Sequence, residues 1–263
     1  MLQVQLKPGL KNGKWACLRS LCGHDEGFIN GIGLVEAIQF LDRLLIEVPG
    51  TTVGPGKASK LAVCDCDRLF AALYRRYFGE QIDSTVSCQN CNASFELSFA
   101  LPKLMATLEN ELPTKVTGPD RVGLYTLADG RRFRLPTVGD RYSIIGLEPE
   151  RAVTALLQRC LVEGDPKQNP EELEMAMDEV GTVLDLDLDA TCPECGASQT
   201  VRFNIQTYLL VALKHEQQFL NREVHHIARA YGWGYQEILN LTREERRAFV
   251  RLIGAEPALR RRG

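Results

Sequence analysis

Apolar residues at Leu2, Val4 and Leu6 alternate with polar ones, the period-two mark of a half-buried strand. The period then lengthens. Leu34, Ile38, Leu41 and Leu45 make a helical stripe, and so do Leu69, Leu73 and Tyr77 in a helix over residues 63–77, with Asp65 placed to cap it. Between these, residues 18–29 read as a short helical or turn segment in which His24-Asp25-Glu26 is a solvated turn. Residues 48–56 read as a loop rich in Gly and Pro. Its Gly54-Pro-Gly56-Lys57 lacks the rest of a phosphate loop.

Further on, a helix is expected over residues 103–112, stopped by Pro113, and then a hairpin about Asp129-Gly130. A helical stretch from Thr137 through Leu147 follows, and a helix from Pro149 turns Val153, Leu156, Leu157, Cys160 and Leu161 inward. Asn169-Pro170-Glu-Glu172 reads as a helix start, with Asn169 the cap and Glu172 closing a capping box. The longest helix is predicted over residues 206–231, where Leu209, Leu213, Leu220, Val224, Ile227 and Tyr231 form a stripe broken by Glu216 and Gln217. Gly232-Trp233-Gly234 breaks it, and residues 235–241 form a short helix. Thr242-Arg-Glu-Glu245 is a capping box for a last helix that Gly254 closes, before a basic tail at Arg260–Arg262.

Two of the period-two segments carry the chemistry. Cys88-Gln-Asn-Cys91 is followed by Leu97, Phe99 and Leu101, and Cys192-Pro-Glu-Cys195 by Val201, Phe203 and Ile205. Superposed, the segments also match Ala93 with Ala197 and Ser94 with Ser198, so they form an internal repeat. Leu184, Leu186 and Leu188 alternate before the second pair, so each copy reads as strand, knuckle, strand. Two Cys-x-x-Cys half-sites supply the four thiolates of one closed tetrahedral zinc site. A redox pair would sit at a helix N-terminus, whereas strand-like residues follow both knuckles. Disulfide pairing would leave one of the nine cysteines over, and no secretory signal opens the chain, so a reducing cytoplasm is expected. Core filling does not explain a duplicated context. Cys17, Cys22, Cys64, Cys66 and Cys160 read as buried small residues.

Composition narrows the function. With 263 residues, 44% hydrophobic, 25% charged and a net charge of −3, the chain is an ordinary globular protein and lacks the basic excess of a nucleic-acid binder. No apolar run reaches the ~20 residues of a membrane span. Residues 171–189 hold eight acids and no base, the face of a solvated strand or a surface for a basic partner. Asp185, Asp187 and Asp189 lack the glycine and final glutamate of a calcium loop. Four thiolates leave zinc no open position, so a hydrolytic centre is not expected. The expected fold is α+β: a mostly helical chain around a duplicated β-hairpin zinc-knuckle core, with a long C-terminal helix and short terminal helices. The segments are 1–60 (strand and helix), 61–205 (the duplicated core with an inserted hairpin and helices) and 206–263 (helical).

Several stretches carry a family resemblance: Leu18-Arg-Ser-Leu-Cys22-Gly, Arg76-Tyr-Phe-Gly79, Phe133-Arg-Leu-Pro136, the second knuckle, and Arg222-Glu-Val-His225-His-Ile-Ala-Arg-Ala-Tyr231-Gly-Trp233 followed by Glu237-Ile-Leu. Together the chain resembles the T-even-phage-like baseplate proteins of contractile tails, a family described as baseplate hub assembly chaperones, with relatives in bacterial contractile injection systems. The resemblance implies a non-enzymatic structural component or assembly factor, other baseplate or tail proteins as partners, no nucleic acid and no membrane. It makes Arg222, His225, Tyr231 and Trp233 the candidate partner-binding residues. Cys64 and Cys66 lie outside the pattern. The competing reading is a zinc-ribbon nucleic-acid-binding or regulatory protein, for which Arg202 is the only base near the second knuckle.

Overall fold

In the computed structural model, which describes residues 1–10, 13–49, 53–110 and 116–260, the opening alternation becomes β1 (Leu2–Leu10), turning back antiparallel as β2 (Gly13–Leu18). After the short helix α1 (Gly23–Gly27), the first leucine stripe forms α2 (Leu34–Leu44). Its end runs into β3 (Leu45–Ile46), which completes a sheet of order β1-β2-β3. A turn of 3-10 helix (Ala58–Lys60) leads to α3 (Val63–Phe78), then to the hairpin β4 (Gln81–Ser87) and β5 (Ser94–Ala100), and to α4 (Leu101–Asn110). A small antiparallel sheet follows, in the order β6 (Val116–Thr117), β7 (Tyr125–Leu127), β8 (Arg132–Phe133), β9 (Leu161–Glu163). Between its last two strands the chain makes α5 (Val138–Ser143) and α6 (Pro149–Cys160). Next come α7 (Pro170–Val180) and the second hairpin, β10 (Asp185–Thr191) and β11 (Ser198–Asn204). The chain ends in α8 (Ile205–Tyr231), α9 (Tyr235–Asn240) and α10 (Arg243–Arg260). The fold mixes helix and sheet, as the α+β expectation requires. The centre of the 48–56 loop, the Pro113 stop, and Arg261 and Arg262 lie outside the described residues.

The largest core is built by α2, α3, the first sheet and the first turns of α8, with Phe40, Leu41, Leu69, Phe70, Leu209 and Leu213 at its heart. Phe203, Leu184 and Ile82 bring the bases of both hairpins into it. A second core joins the small sheet to α6 and α7 through Phe133, Leu157, Leu173 and Met177. Helix α8 links the first core to a third. Its 27 residues span about 40 Å, and its far half packs Leu220, Val224 and Ile227 against Ile238 and Leu239 of α9.

Polar residues that read as solvated or capping turn out to be interior fasteners. Asp25 and Glu26 are buried, not exposed on a turn. Asp25 takes both Arg19 guanidinium nitrogens at 2.6 and 2.7 Å. Burial alone would raise its carboxyl, but Arg19 and the Cys22 N–H outweigh that and hold it below the usual range. Glu26 receives Arg246 Nη2 at 2.6 Å. Asp65 does not cap α3. It lies inside the first turn and accepts the backbone N–H groups of Lys7 and Gly9, fastening β1 to the helix. The box expected at Asn169 does not form, because Glu172 is drawn to the buried guanidinium of Arg131 at 2.9 Å and Asn169 adopts a left-handed φ of 43° with no side-chain cap. Glu216 and Gln217, the break in the α8 stripe, are employed: Gln217 donates to the Glu26 and Ile29 carbonyls, and Glu216 pairs with Arg243 and Arg247. Two helical readings also shift. Val153 of α6 faces outward at 39% exposure. Helix α10 runs through Gly254 to Arg260 because no left-handed residue stops it there.

Asp67 gives a pH signature. Its carboxylate is 1% exposed and accepts from the Leu184 N–H at 2.8 Å and Gln206 Nε2 at 2.9 Å, tying α3 to the start of β10 and of α8. Burial outweighs these donors and pushes it up to about 6. The folded state therefore holds this proton more tightly than the unfolded chain. The contribution of Asp67 is fully present below the ordinary Asp value of about 4 and is lost as pH rises through about 6. A shift of roughly 2 units is worth about 3 kcal/mol. Urea midpoints measured across this window should show that slope in the wild type, and Asp67→Asn should remove it. An unchanged slope in the variant would place the titration elsewhere.

Candidate metal centre

The two hairpins are built alike pair by pair. In the first, the register runs from Gln81↔Ala100 to Ser87↔Ser94, and in the second from Asp185↔Asn204 to Thr191↔Ser198. The offset that carries Cys88 onto Cys192 carries every one of these pairs onto its counterpart. It also carries Leu101 N–H bonded to the Glu80 carbonyl onto Ile205 N–H bonded to that of Leu184. The repeat is thus a helix–hairpin–helix unit, α3-β4-β5-α4 and α7-β10-β11-α8. Each knuckle closes the same way: the first cysteine N–H donates to the alanine carbonyl five residues on, at 2.8 Å from Cys88 and 2.9 Å from Cys192. The residue after the second cysteine takes positive φ, 58° at Asn92 and 71° at Gly196, a conformation that Asn and Gly tolerate. Equivalent residues also meet each other. The rings of Phe99 and Phe203 stand edge-to-face at 5.1 Å and 88°.

That pairing brings the four cysteines together. The Sγ atoms of Cys88, Cys91, Cys192 and Cys195 all lie within 4.8 Å of one another. Cys88 and Cys195 are 3.6 Å apart, and Cys91 and Cys192 3.8 Å. These two contacts exchange under the repeat, so the cluster has local two-fold character. A metal about 2.3 Å from four tetrahedral thiolates sets its sulfurs about 3.8 Å apart. The separations therefore suit a metal ion and are far too long for a disulfide. The first cysteine of each pair is buried and the second exposed, which core filling would not produce. Phe95 and Ala190, with Val86, Leu97, Ala197 and Val201 around them, form an apolar plug beneath the knuckles. Strands, not helices, follow both pairs, in keeping with the argument against a redox pair. The remaining cysteines do not join the cluster: Cys17, Cys64, Cys66 and Cys160 are buried as expected, whereas Cys22, at the N-cap of α1, is only half-buried.

Backbone and side-chain donors favour thiolates here. The Ala197 N–H, and then the Asn90 amide 3.6 Å away, draw the Cys195 thiol down to about 6. The Cys91 and Asn90 N–H groups lower Cys88. The Ala93 N–H pulls Cys91 the same way, but Cys195, desolvation, Cys88 and Cys192 together outweigh it and push that thiol up to about 12. Sulfurs this close cannot all ionise alone; a cation among them removes the conflict, as it does wherever a coordinating thiol is deprotonated. A four-sulfur tetrahedral donor set is characteristic of zinc or of iron–sulfur chemistry.

The candidate partner-binding residues gather at the far end of α8, away from the cysteines in the fold. Arg222 and His225 are exposed, with Arg222 5.8 Å from the ring of exposed Phe219. Tyr231 is 37% exposed, while Trp233 is half-buried and packs edge-to-face on Phe249 with ring centroids 5.0 Å apart, giving it a packing role as well. The extent of the repeat escaped the sequence reading, because α3 and α7 share little sequence. The buried arginines Arg131, Arg243 and Arg246 escaped it too, since a charged residue carries no burial signal in its type. No described helix is long and apolar enough to cross a membrane. Comparisons of the chain with protein-family models, curated proteins and solved structures find no match.

Proposed function

We propose that the protein is a non-enzymatic structural component or assembly factor of a contractile-tail or injection-system baseplate, made rigid by a structural zinc ion held by Cys88, Cys91, Cys192 and Cys195, and assembled in the cytoplasm. The observation that carries the reading is the closure of the sulfur cluster: four mutually adjacent Sγ atoms leave no position for a substrate or a water. Zinc fits because thiolate ligands suit it and it needs no redox partner. Such an ion bridges two segments a hundred residues apart and so clamps the two hairpins to each other. The baseplate element rests on the sequence resemblance, and the exposed end of α8 supplies its docking surface.

The nucleic-acid alternative loses its best feature. Arg202 is occupied by Asp185 at 2.9 Å and Asp187 at 3.3 Å, so the face beside the second knuckle is acidic or neutralised. Two measurements test the proposal together. Elemental analysis of the purified chain should find about one zinc per molecule. Co-expression with the baseplate proteins of the same particle should give a stoichiometric complex on size exclusion, which Arg222→Glu with Tyr231→Ala weakens. A metal-free chain would remove the zinc element, and a chain that stays monomeric beside every baseplate protein would remove the assembly element.

A further inference from the structure

A groove of about 420 Å³ opens between α6, α7 and the start of β10, within the ~300–1,000 Å³ typical of ligand sites. Its apolar surface comes from Val153, Leu156, Met177 and Leu186, and among the described residues no cationic one lines it. Val153 is the residue of α6 that the apolar pattern turns inward and the fold leaves 39% exposed. On the rim stand Glu174 and Asp178, four residues apart on α7. Neither is among the ion pairs or hydrogen bonds of the described residues, whereas Asp185, the third acid there, already holds Arg202. Like charges at this spacing repel, and the helix carries that cost without a counterion among the described residues. Asp178 is also crowded enough that desolvation raises its carboxyl.

We infer that this groove docks a partner's amphipathic helix, whose apolar face fills the trough between α6 and α7 and whose Lys or Arg side chains, one turn apart, pair with Glu174 and Asp178. Four residues of helix rise about 6 Å, so two basic residues at i and i+4 on the incoming helix match the two carboxylates in step. Apolar burial supplies the affinity, and the acidic rim sets orientation and rejects acidic helices. The surface depends on neither the metal nor the baseplate reading, since no cysteine of the cluster lines it.

The test uses the full chain and a designed peptide of about 18 residues, longer than the ~12–15 below which isolated helices are marginal. The peptide carries leucines at i, i+3, i+4 and i+7, flanked by lysines one turn apart. In fluorescence anisotropy it should bind saturably, and the complex should weaken as salt rises. Glu174→Lys with Asp178→Lys should reduce affinity at least about tenfold with an unchanged circular dichroism spectrum. The same peptide with glutamate in place of lysine should not bind. The methyl resonance of Met177 should shift on adding the lysine peptide, which places binding in the groove and not on acidic surface elsewhere. No saturable binding, equal binding by the double variant, equal binding of the glutamate peptide, or an unmoved Met177 signal would each overturn the proposal.

Discussion

Cys192→Ser is expected to unfold much of the molecule and not merely trim it. If one zinc closes the cluster, the variant loses a buried ligand from a site whose metal contributes ~10 kcal/mol or more to folding. An apparent loss of about 5 kcal/mol is then a modest expectation, because three thiolates keep part of the affinity. The consequences spread beyond the knuckles. Phe99 and Phe203 meet at 5.1 Å only while the hairpins are held together, and Phe203 belongs to the largest core. Cys66→Ser is the control. Cys66 is equally buried and lies 3.8 Å from the Ala58 carbonyl, so serine keeps an acceptor there and costs about 1–3 kcal/mol. A strong chelator should lower the melting temperature of the wild type and of Cys66→Ser by much more than that of Cys192→Ser, whose three thiolates hold the metal only weakly. Equal melting of all three proteins, with and without chelator, would mean that no metal supports the fold.

The elements that sequence made legible are those whose side chains obey a period. The alternation of Leu2, Val4 and Leu6 and the α8 stripe from Leu209 to Ile227 become β1 and α8 because burial alone sets their pattern. The cysteine cluster was legible for a different reason: two knuckles in matching context constrain each other. Illegible were the contacts that depend on distant chain. Nothing in Cys22-Gly-His24-Asp25-Glu26 says that Arg246 will arrive from more than two hundred residues away, so the segment looks solvated. Asn169 and Glu172 satisfy every local rule for a capping box, yet Arg131 offers Glu172 a charged partner that the local backbone cannot match. The pair of helix–hairpin–helix units stayed hidden because a repeat of hydrogen-bond register needs no repeat of residue identity.

The same distant contacts yield the other large effect. Among the described residues Arg246 is the largest fully buried side chain, and each part of its fork is engaged: Nη2 with Glu26 at 2.6 Å, Nε with Glu223 at 2.9 Å and Nη1 with the Leu241 carbonyl at 2.8 Å. It joins α10 to α1, α8 and the end of α9 at one point. Arg246→Ala leaves Glu26, itself 2% exposed, with only Arg243 Nε at 3.5 Å, and such an uncompensated buried charge costs about 3–5 kcal/mol. Arg243, whose buried Nε and Nη1 have no hydrogen-bond partner among the described residues, stands ready to take up part of that charge through Nε, so the loss should fall toward the lower end of this range. Arg246→Lys should recover little, since a single ammonium cannot reproduce three divergent donors. Arg247→Ala, at an exposed pair with the same Glu216, should cost under about 1 kcal/mol. A double-mutant cycle isolates the charge term. With Glu26→Leu the buried carboxylate is gone, and Arg246→Met should then cost far less than in the wild-type background, because a desolvated ion pair exchanged for apolar groups is often near neutral. Hydrogen exchange on Arg246→Ala should show α9 and α10 losing protection before α2 and α3, as the third core lets go of α1 while the first stays closed. Equal losses in both regions would show that this end of the chain and the main core unfold as one unit.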